Sequence, residues 1–162
     1  AGVLRTSVKM DMFKNVAMMV EKQAQPLAQE LGRKLTFEIP QGLPILNTDG
    51  ELLAKALYKL VENGLRYHTP ETEGEVTVRA VADGSTLVVT VQDNGIGMTP
   101  EELDQLGTIY FRSENEAVRA YKGSGLGIPV AYGIIRQLGG TITAQSAPGT
   151  GTTFMIKLPG MS

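Results

Sequence analysis

Three short segments carry residue types that a plain fold does not call for. The first is Asn63, set among apolar residues at helical spacing, Leu53, Leu57, Leu60 and Val61. At about 100° per residue it falls between Leu52 and Ala56, where an apolar side chain would be the simple choice. Lys59, Asn63, Arg66 and Tyr67 share one stripe beside that apolar face. An inward carboxamide must be hydrogen-bonded, ligate a cation or go unpaired at a cost of roughly 1–3 kcal/mol. Its neutral oxygen suits Mg²⁺, a hard ion that keeps waters and leans on phosphates. A hydrogen-bonded polar residue at a groove edge is the plainer use of the same side chain.

The second segment is Asp93-Asn94-Gly95-Ile96-Gly97, directly after an apolar strand pattern. Its glycines permit positive φ and close backbone approach. Asp93 either accepts from an amine donor or ends the strand as an Asx turn. The third is Lys122-Gly123-Ser124-Gly125-Leu126-Gly127, which runs into a helix pattern. Backbone N–H groups and the helix dipole make an anion site there, and alternating glycines let phosphate oxygens come close. A flexible connector has the same composition. The segment is neither a Walker P-loop nor the dinucleotide G-x-G-x-x-G, since position 128 is Ile.

The elements that must position these segments follow from periodicity. A helix is predicted from Asp11 to Leu31, kinked or restarted at Pro26 and closed by Gly32. Leu35 to Ile39 alternates as a strand, and Ile45 to Asn47 is a short extended piece. Thr48-x-x-Glu51 reads as a capping box opening a second helix that ends near Tyr67, before Pro70. Alternating Val76, Val78 and Ala80, then Asp83-Gly84, then Leu87, Val89 and Val91, make a hairpin. A short helix opens at Thr99-Pro100-Glu101-Glu102, and 107–122 reads as a long loop, a length usually reserved for function. A last helix covers about Leu126 to Leu138, stopped by Gly139-Gly140. Strands Thr141 to Ser146 and Thr152 to Leu158 close the chain around Pro148-Gly149-Thr150-Gly151. The class is α+β: a two-layer α/β sandwich, its sheet mixed and mostly antiparallel, with helices on one face.

Composition narrows the function. The 162 residues make one domain, with 11–159 as its core. Fifteen Lys and Arg against seventeen Asp and Glu leave a net charge of −2, which offers no nucleic-acid or anionic-membrane surface. No cysteine is present, which excludes disulfides, thiol catalysis and Cys-ligated zinc, and the single His68 excludes a multi-histidine metal site. No apolar run reaches the ~20 residues of a membrane span. The Ala1-Gly2-Val3 start, without Met, suggests a segment of something larger.

Taken together and in order, these segments resemble the ATP-binding domain of sensor histidine kinases, in the superfamily of gyrase, mismatch-repair and heat-shock chaperone ATPases. Leu60 to Tyr67 is similar to the N box, Asp93 to Met98 to the G1 box, and Gly123 to Ile128 to the G2 box. The tail from Gly139-Gly140-Thr141 through Gly149-Thr150-Gly151-Thr152 to Pro159 is similar as well, so the likeness runs from about Asp11 onward. The resemblance implies that Asn63 ligates Mg²⁺ on the nucleotide phosphates, that Arg66 contacts phosphate and that Tyr67 packs on adenine. It implies that Asp93 accepts from the adenine amine in a pocket shaped by Gly95, Gly97 and Met98. Gly123, Gly125, Leu126 and Gly127 would cradle phosphates, and 107–122 would be an ATP lid with Arg112 and Lys122 as its cations. ATP and Mg²⁺ are the implied ligands. The implied partners are a phosphoacceptor and dimerisation segment and a downstream response regulator. The chain itself would be monomeric and cytoplasmic, with no membrane contact of its own.

The departures from the pattern carry information. Lys59 stands one turn before Asn63, where these kinases usually carry Asn and hydrolysing relatives a catalytic Glu; activation of water from this position is not expected. Gly107 and Tyr110 replace the two Phe of the lid's Phe-x-x-Phe-x-Arg, and Gly64 replaces the usual Ala. His68, beside Thr69-Pro70, reads as a solvated helix-end residue favoured by the dipole when protonated. The acceptor motif, His-Glu on a dimerising helix, is absent, so the phosphoacceptor is expected outside these 162 residues.

Overall fold

The apolar alternation of the hairpin builds the centre of a sheet. In a computed structural model, which describes residues 7–67, 73–109 and 127–161, eleven elements follow the chain. They are β1 (Lys9–Met12), α1 (Phe13–Leu31), β2 (Lys34–Glu38), β3 (Ile45–Thr48), α2 (Gly50–Arg66), β4 (Glu75–Asp83) and β5 (Thr86–Asp93). After these come α3 (Pro100–Ile109), α4 (Gly127–Gln137), β6 (Thr141–Ala147) and β7 (Gly151–Pro159). Five strands form one sheet in the order β2-β4-β5-β7-β6, with β2 parallel to β4 and every other pair antiparallel. The mixed, mostly antiparallel sheet and the α+β class are those expected from the sequence.

Register explains the layers. Val78 opposes Val91, Val89 opposes Ile156 and Val91 opposes Phe154, all buried, while Arg79, Val81, Gln92, Met155 and Lys157 alternate outward. A period of two thus gives one wet face and one apolar face. On the apolar face pack α1, through Phe13, Val16, Val20 and Leu27, α2, through Leu53, Leu57, Leu60 and Leu65, and α4, through Ile134 and Ile135. Tyr132 of α4 meets Phe154 edge to face, at 6.4 Å and 83°.

Four boundaries differ from expectation. Helix α1 begins at Phe13 because Asp11 and Met12 are held in β1, antiparallel to Leu46 and Ile45 of β3, a strand too short to announce itself. Pro26 neither ends nor restarts α1, whose buried Ala24, Leu27 and Ala28 hold both sides of it to the core. The cap of α2 is Asp49, whose side chain accepts from the Leu52 amide at 3.1 Å; Thr48, expected there, is taken by β3. Helix α3 runs to Ile109, so 107–109 are helical and the expected loop begins no earlier than residue 110, outside the described residues. Its start is the capping box Thr99–Glu102, each side chain bonded to the other's amide, at 2.8 and 3.2 Å. Gly32 closes α1 at φ 67, as predicted. Among the described residues no helix is long and apolar enough to cross a membrane.

Candidate functional site

Helix α2 carries the strongest sequence signal, and its C-terminal half touches both glycine motifs. A Cβ at Gly64 would stand 3.0 Å from Asp93 Cβ and 3.2 Å from Asp93 Oδ2, so the bare glycine seats the helix against the end of β5. One turn earlier, Lys59 lies against the first residue of α4. A Cβ at Gly127 would stand 3.9 Å from Lys59 Cδ and 4.0 Å from the Lys59 carbonyl oxygen. Asn63 lies within this same span of α2.

Asn63 is 8% exposed, and its Nδ2 is buried without a hydrogen-bond partner among the described residues. Of the two uses the sequence left open, the fully hydrogen-bonded polar residue is not the one found: the fold leaves half of this carboxamide unused, at roughly 1–3 kcal/mol. Arg66 is half exposed and its Nε lies 3.2 Å from Glu62 Oε2, one turn back. A pair of this kind contributes only about 0.3–0.5 kcal/mol, so Arg66 can leave it for a stronger anion. Tyr67 ends the helix; its N–H donates to the Asn63 carbonyl at 3.2 Å and its carbonyl accepts from Ile96 at 3.3 Å. The turn after β5 is thereby bonded to the end of α2.

Asp93 is buried, and Oδ1 accepts from the amides of Gly95, at 2.9 Å, and Thr152, at 3.2 Å. The first bond is an Asx turn, one of the two uses the sequence left open for Asp93; the second ties the turn to β7. Asn94 pins the start of β4, accepting from the Glu75 amide at 2.9 Å and donating to the Glu73 carbonyl at 2.8 Å. Gly97 adopts φ 73, and a Cβ there would overlap the Ala147 carbonyl; a Cβ at Gly95 would overlap that of Tyr67. These two glycines are therefore required first by protein backbone. Gly127 differs: a Cβ would make only ordinary contacts, so among the described residues nothing demands glycine there. Met98 is 1% exposed and belongs to the core cluster, with its amide donating to Ser146 Oγ at 2.8 Å.

Ser146 and Thr152 are positioning residues that sequence reasoning missed. Ser146 Oγ accepts from Met98, donates to the Gly151 carbonyl at 2.7 Å and lies 2.8 Å from Thr152 Oγ1. Only their place in the glycine-threonine tail signalled them. Of the remaining candidate residues, Arg112, Lys122, Gly123, Gly125 and Leu126, with His68, lie outside the described residues. Among the described residues no group of three or more His, Cys, Asp or Glu could hold a metal ion. A divalent ion here would rest on Asn63, on waters and on oxygens brought by a ligand, since Mg²⁺ keeps several waters and leans on substrate phosphates.

Comparison with known proteins gives the family and the fold. A family profile described as "Histidine kinase-, DNA gyrase B-, and HSP90-like ATPase" matches residues 48–161. The chain is 31% identical over 156 residues to the sensor-like histidine kinase SenX3 of Mycobacterium tuberculosis, covering 96% of this chain and 37% of that protein. It is 32% identical over 132 residues to an uncharacterized sensor-like histidine kinase of Rhizobium meliloti, covering 82% of this chain and 25% of that protein. The chain thus spans well under half the length of either relative. Among solved structures, full-length ShkA in complex with AMPPNP superposes with a TM-score of 0.78 at 21% identity, over 98% of this chain and 32% of that one. A nucleotide-free catalytic domain of histidine kinase ThkA gives 0.78 at 17% identity, over 97% of this chain and 100% of that one. At these identities the two structures establish the shared fold.

Proposed function

This chain belongs to the histidine kinase-, DNA gyrase B- and HSP90-like ATPase family, and from that premise we propose that it is the ATP-binding catalytic domain of a two-component sensor kinase. It would hold ATP with Mg²⁺ and present the γ-phosphoryl group to a histidine on a separate phosphoacceptor and dimerisation segment. The observation that carries this reading is that one helix contacts both glycine motifs, Gly64 against Asp93 and Lys59 against Gly127. On the same helix Asn63 is buried, with its Nδ2 unpartnered among the described residues.

Each residue then has a role. Asn63 would offer Oδ1 to Mg²⁺ and Nδ2 to a phosphate oxygen. When bound, the ion would neutralise phosphate charge in the transition state. Asp93, already fixed by two amides, would accept from the adenine amine, with Tyr67 as an apolar wall, Met98 backing the turn from the core and Gly95 and Gly97 setting the turn. Gly123, Gly125, Leu126 and Gly127 would offer amides to the phosphates, and Arg66, Arg112 and Lys122 would add positive charge. Phosphoryl transfer depends mainly on such placement and charge neutralisation. The incoming imidazole nitrogen forms the new P–N bond as the bond to the ADP oxygen breaks, and it needs no base from this chain. Lys59 puts an amine-bearing side chain where hydrolysing relatives carry the Glu that activates water, which disfavours hydrolysis as the main activity. The chain alone would be monomeric and would act on the cytoplasmic side, where ATP and a response regulator are found.

Labelled ATP supplied with a phosphoacceptor segment in trans tests this. Label on the acceptor histidine, dependent on this chain and lost in a folded Asn63→Ala variant, is expected. Turnover to ADP without acceptor labelling would make the chain a hydrolysing ATPase. Binding with neither outcome would make it a nucleotide sensor.

A further inference from the structure

Lys59 is half-buried, with its stem against Gly127 at the head of α4, an eleven-residue helix. The described residues give it no ion pair and no side-chain hydrogen bond. A helix N-terminus already carries about half a positive charge, so a cation there sits like against like. An uncompensated Lys in that place is unfavourable unless an anion joins it. The second observation lies one turn along α2: Asn63 is 92% buried, by its 8% exposure, and its Nδ2 has no partner among the described residues. Among the described residues, a side chain without an ion-pair partner, a buried donor without an acceptor and a glycine that packing does not require thus occur on α2 and at its contact with α4.

We infer that Lys59 is a built-in cation of the phosphate subsite, whose ammonium binds an oxygen of the nucleotide's phosphate chain and lets the chain hold ATP without a divalent ion. This rests on the nucleotide-binding reading above and deepens it. A lysine can lay its aliphatic stem along such a contact while its charged head reaches an anion. A direct ammonium–phosphate bond is charge-assisted and contributes about ten- to hundredfold in affinity.

Calorimetric titration of ATP into the 162-residue chain, in excess Mg²⁺ and in EDTA, tests the inference. Wild type, Lys59→Met, which keeps the stem, and Lys59→Arg, which keeps the charge, are compared after thermal melts show each folded. The expected result is clear ATP binding by wild type in EDTA, weakened about ten- to hundredfold in Lys59→Met and restored in Lys59→Arg. With Mg²⁺ present, the loss in Lys59→Met should be smaller. Wild-type binding in Mg²⁺ but none in EDTA, or equal EDTA affinity for wild type and Lys59→Met, would overturn the inference while leaving the nucleotide site intact. No binding of ATP under either condition would overturn both.

Discussion

Replacing Asp93 separates its part in the fold from the part proposed for it in recognition. Its Oδ1 holds two buried amides, Gly95 at 2.9 Å and Thr152 at 3.2 Å. Asp93→Ala leaves both donors without that partner, at about 1–3 kcal/mol each, or about 2–6 kcal/mol in all. For a domain of this size each kcal/mol moves Tm by about 2–4 °C, so the expected fall is about 4–24 °C. Asp93→Asn keeps an acceptor oxygen for both amides and loses only charge assistance, a cost of about 2 kcal/mol or less. Toward ATP the order of severity reverses in meaning. The asparagine is the better folded variant, yet it presents a carboxamide NH₂ to a base that itself donates, and its affinity should fall about ten- to hundredfold. Urea melts and nucleotide titrations on both variants read the two effects separately. Equal destabilisation by Ala and Asn would refute the hydrogen-bond argument, and wild-type ATP affinity in a folded Asp93→Asn would refute the recognition argument.

Three further outcomes follow from other parts of the structure. Gly97→Ala must abandon φ 73 and clear the Ala147 carbonyl, whereas Gly149→Ala, at φ 80 with nothing within 4 Å, meets only the conformational cost of about 1–2 kcal/mol; chemical melts should show Gly97→Ala as the clearly worse of the two. Burial alone would raise the Asp49 carboxyl, but bonds from the Ser7, Leu52 and Glu51 amides, with Lys9 nearby, hold it below its ordinary 3.8. Its contribution is therefore full above that value and lost as pH falls through the lowered one. Asp49→Asn should flatten the acid limb of stability against pH, while Asp49→Ala also loses the cap, about 0.5–2 kcal/mol. Burial pushes the Tyr132 phenol up to about 12 from 10.0, with Arg136 acting the other way, so its stabilisation is full below pH 10 and lost as pH rises toward 12. Tyr132→Phe should remove that alkaline loss, measured by melts across the same range.

Much of this was legible in the sequence because local physics decided it. Asp83-Gly84 joins two alternating runs, and the hairpin forms as that turn pair requires, with Gly84 at φ 62. Gly32 ends α1, and Thr99 with Glu102 opens α3, each through bonds confined to a few neighbours. What escaped depended on distant partners. β1 exists because β3 pairs with it, and that pairing moves the cap of α2 from Thr48 to Asp49. Gly95 and Gly97 read as ligand-facing glycines, but their first constraint comes from the carbonyls of Tyr67 and Ala147, the latter 50 positions away in the chain from Gly97. Lys59 meets Gly127, 68 positions further along the chain, only because α2 and α4 pack together. Ser146 and Thr152 have no local pattern of their own.

Amide-resolved NMR during ATP titration, with Mg²⁺ present, tests the central claim most directly. The account predicts saturable shifts concentrated at Lys59 to Tyr67, Asp93 to Met98 and the first turn of α4 from Gly127, with the exposed α1 residues Met18 and Met19 unmoved. Absence of saturable shifts, or shifts centred on α1 and the outer face of the sheet, would contradict it.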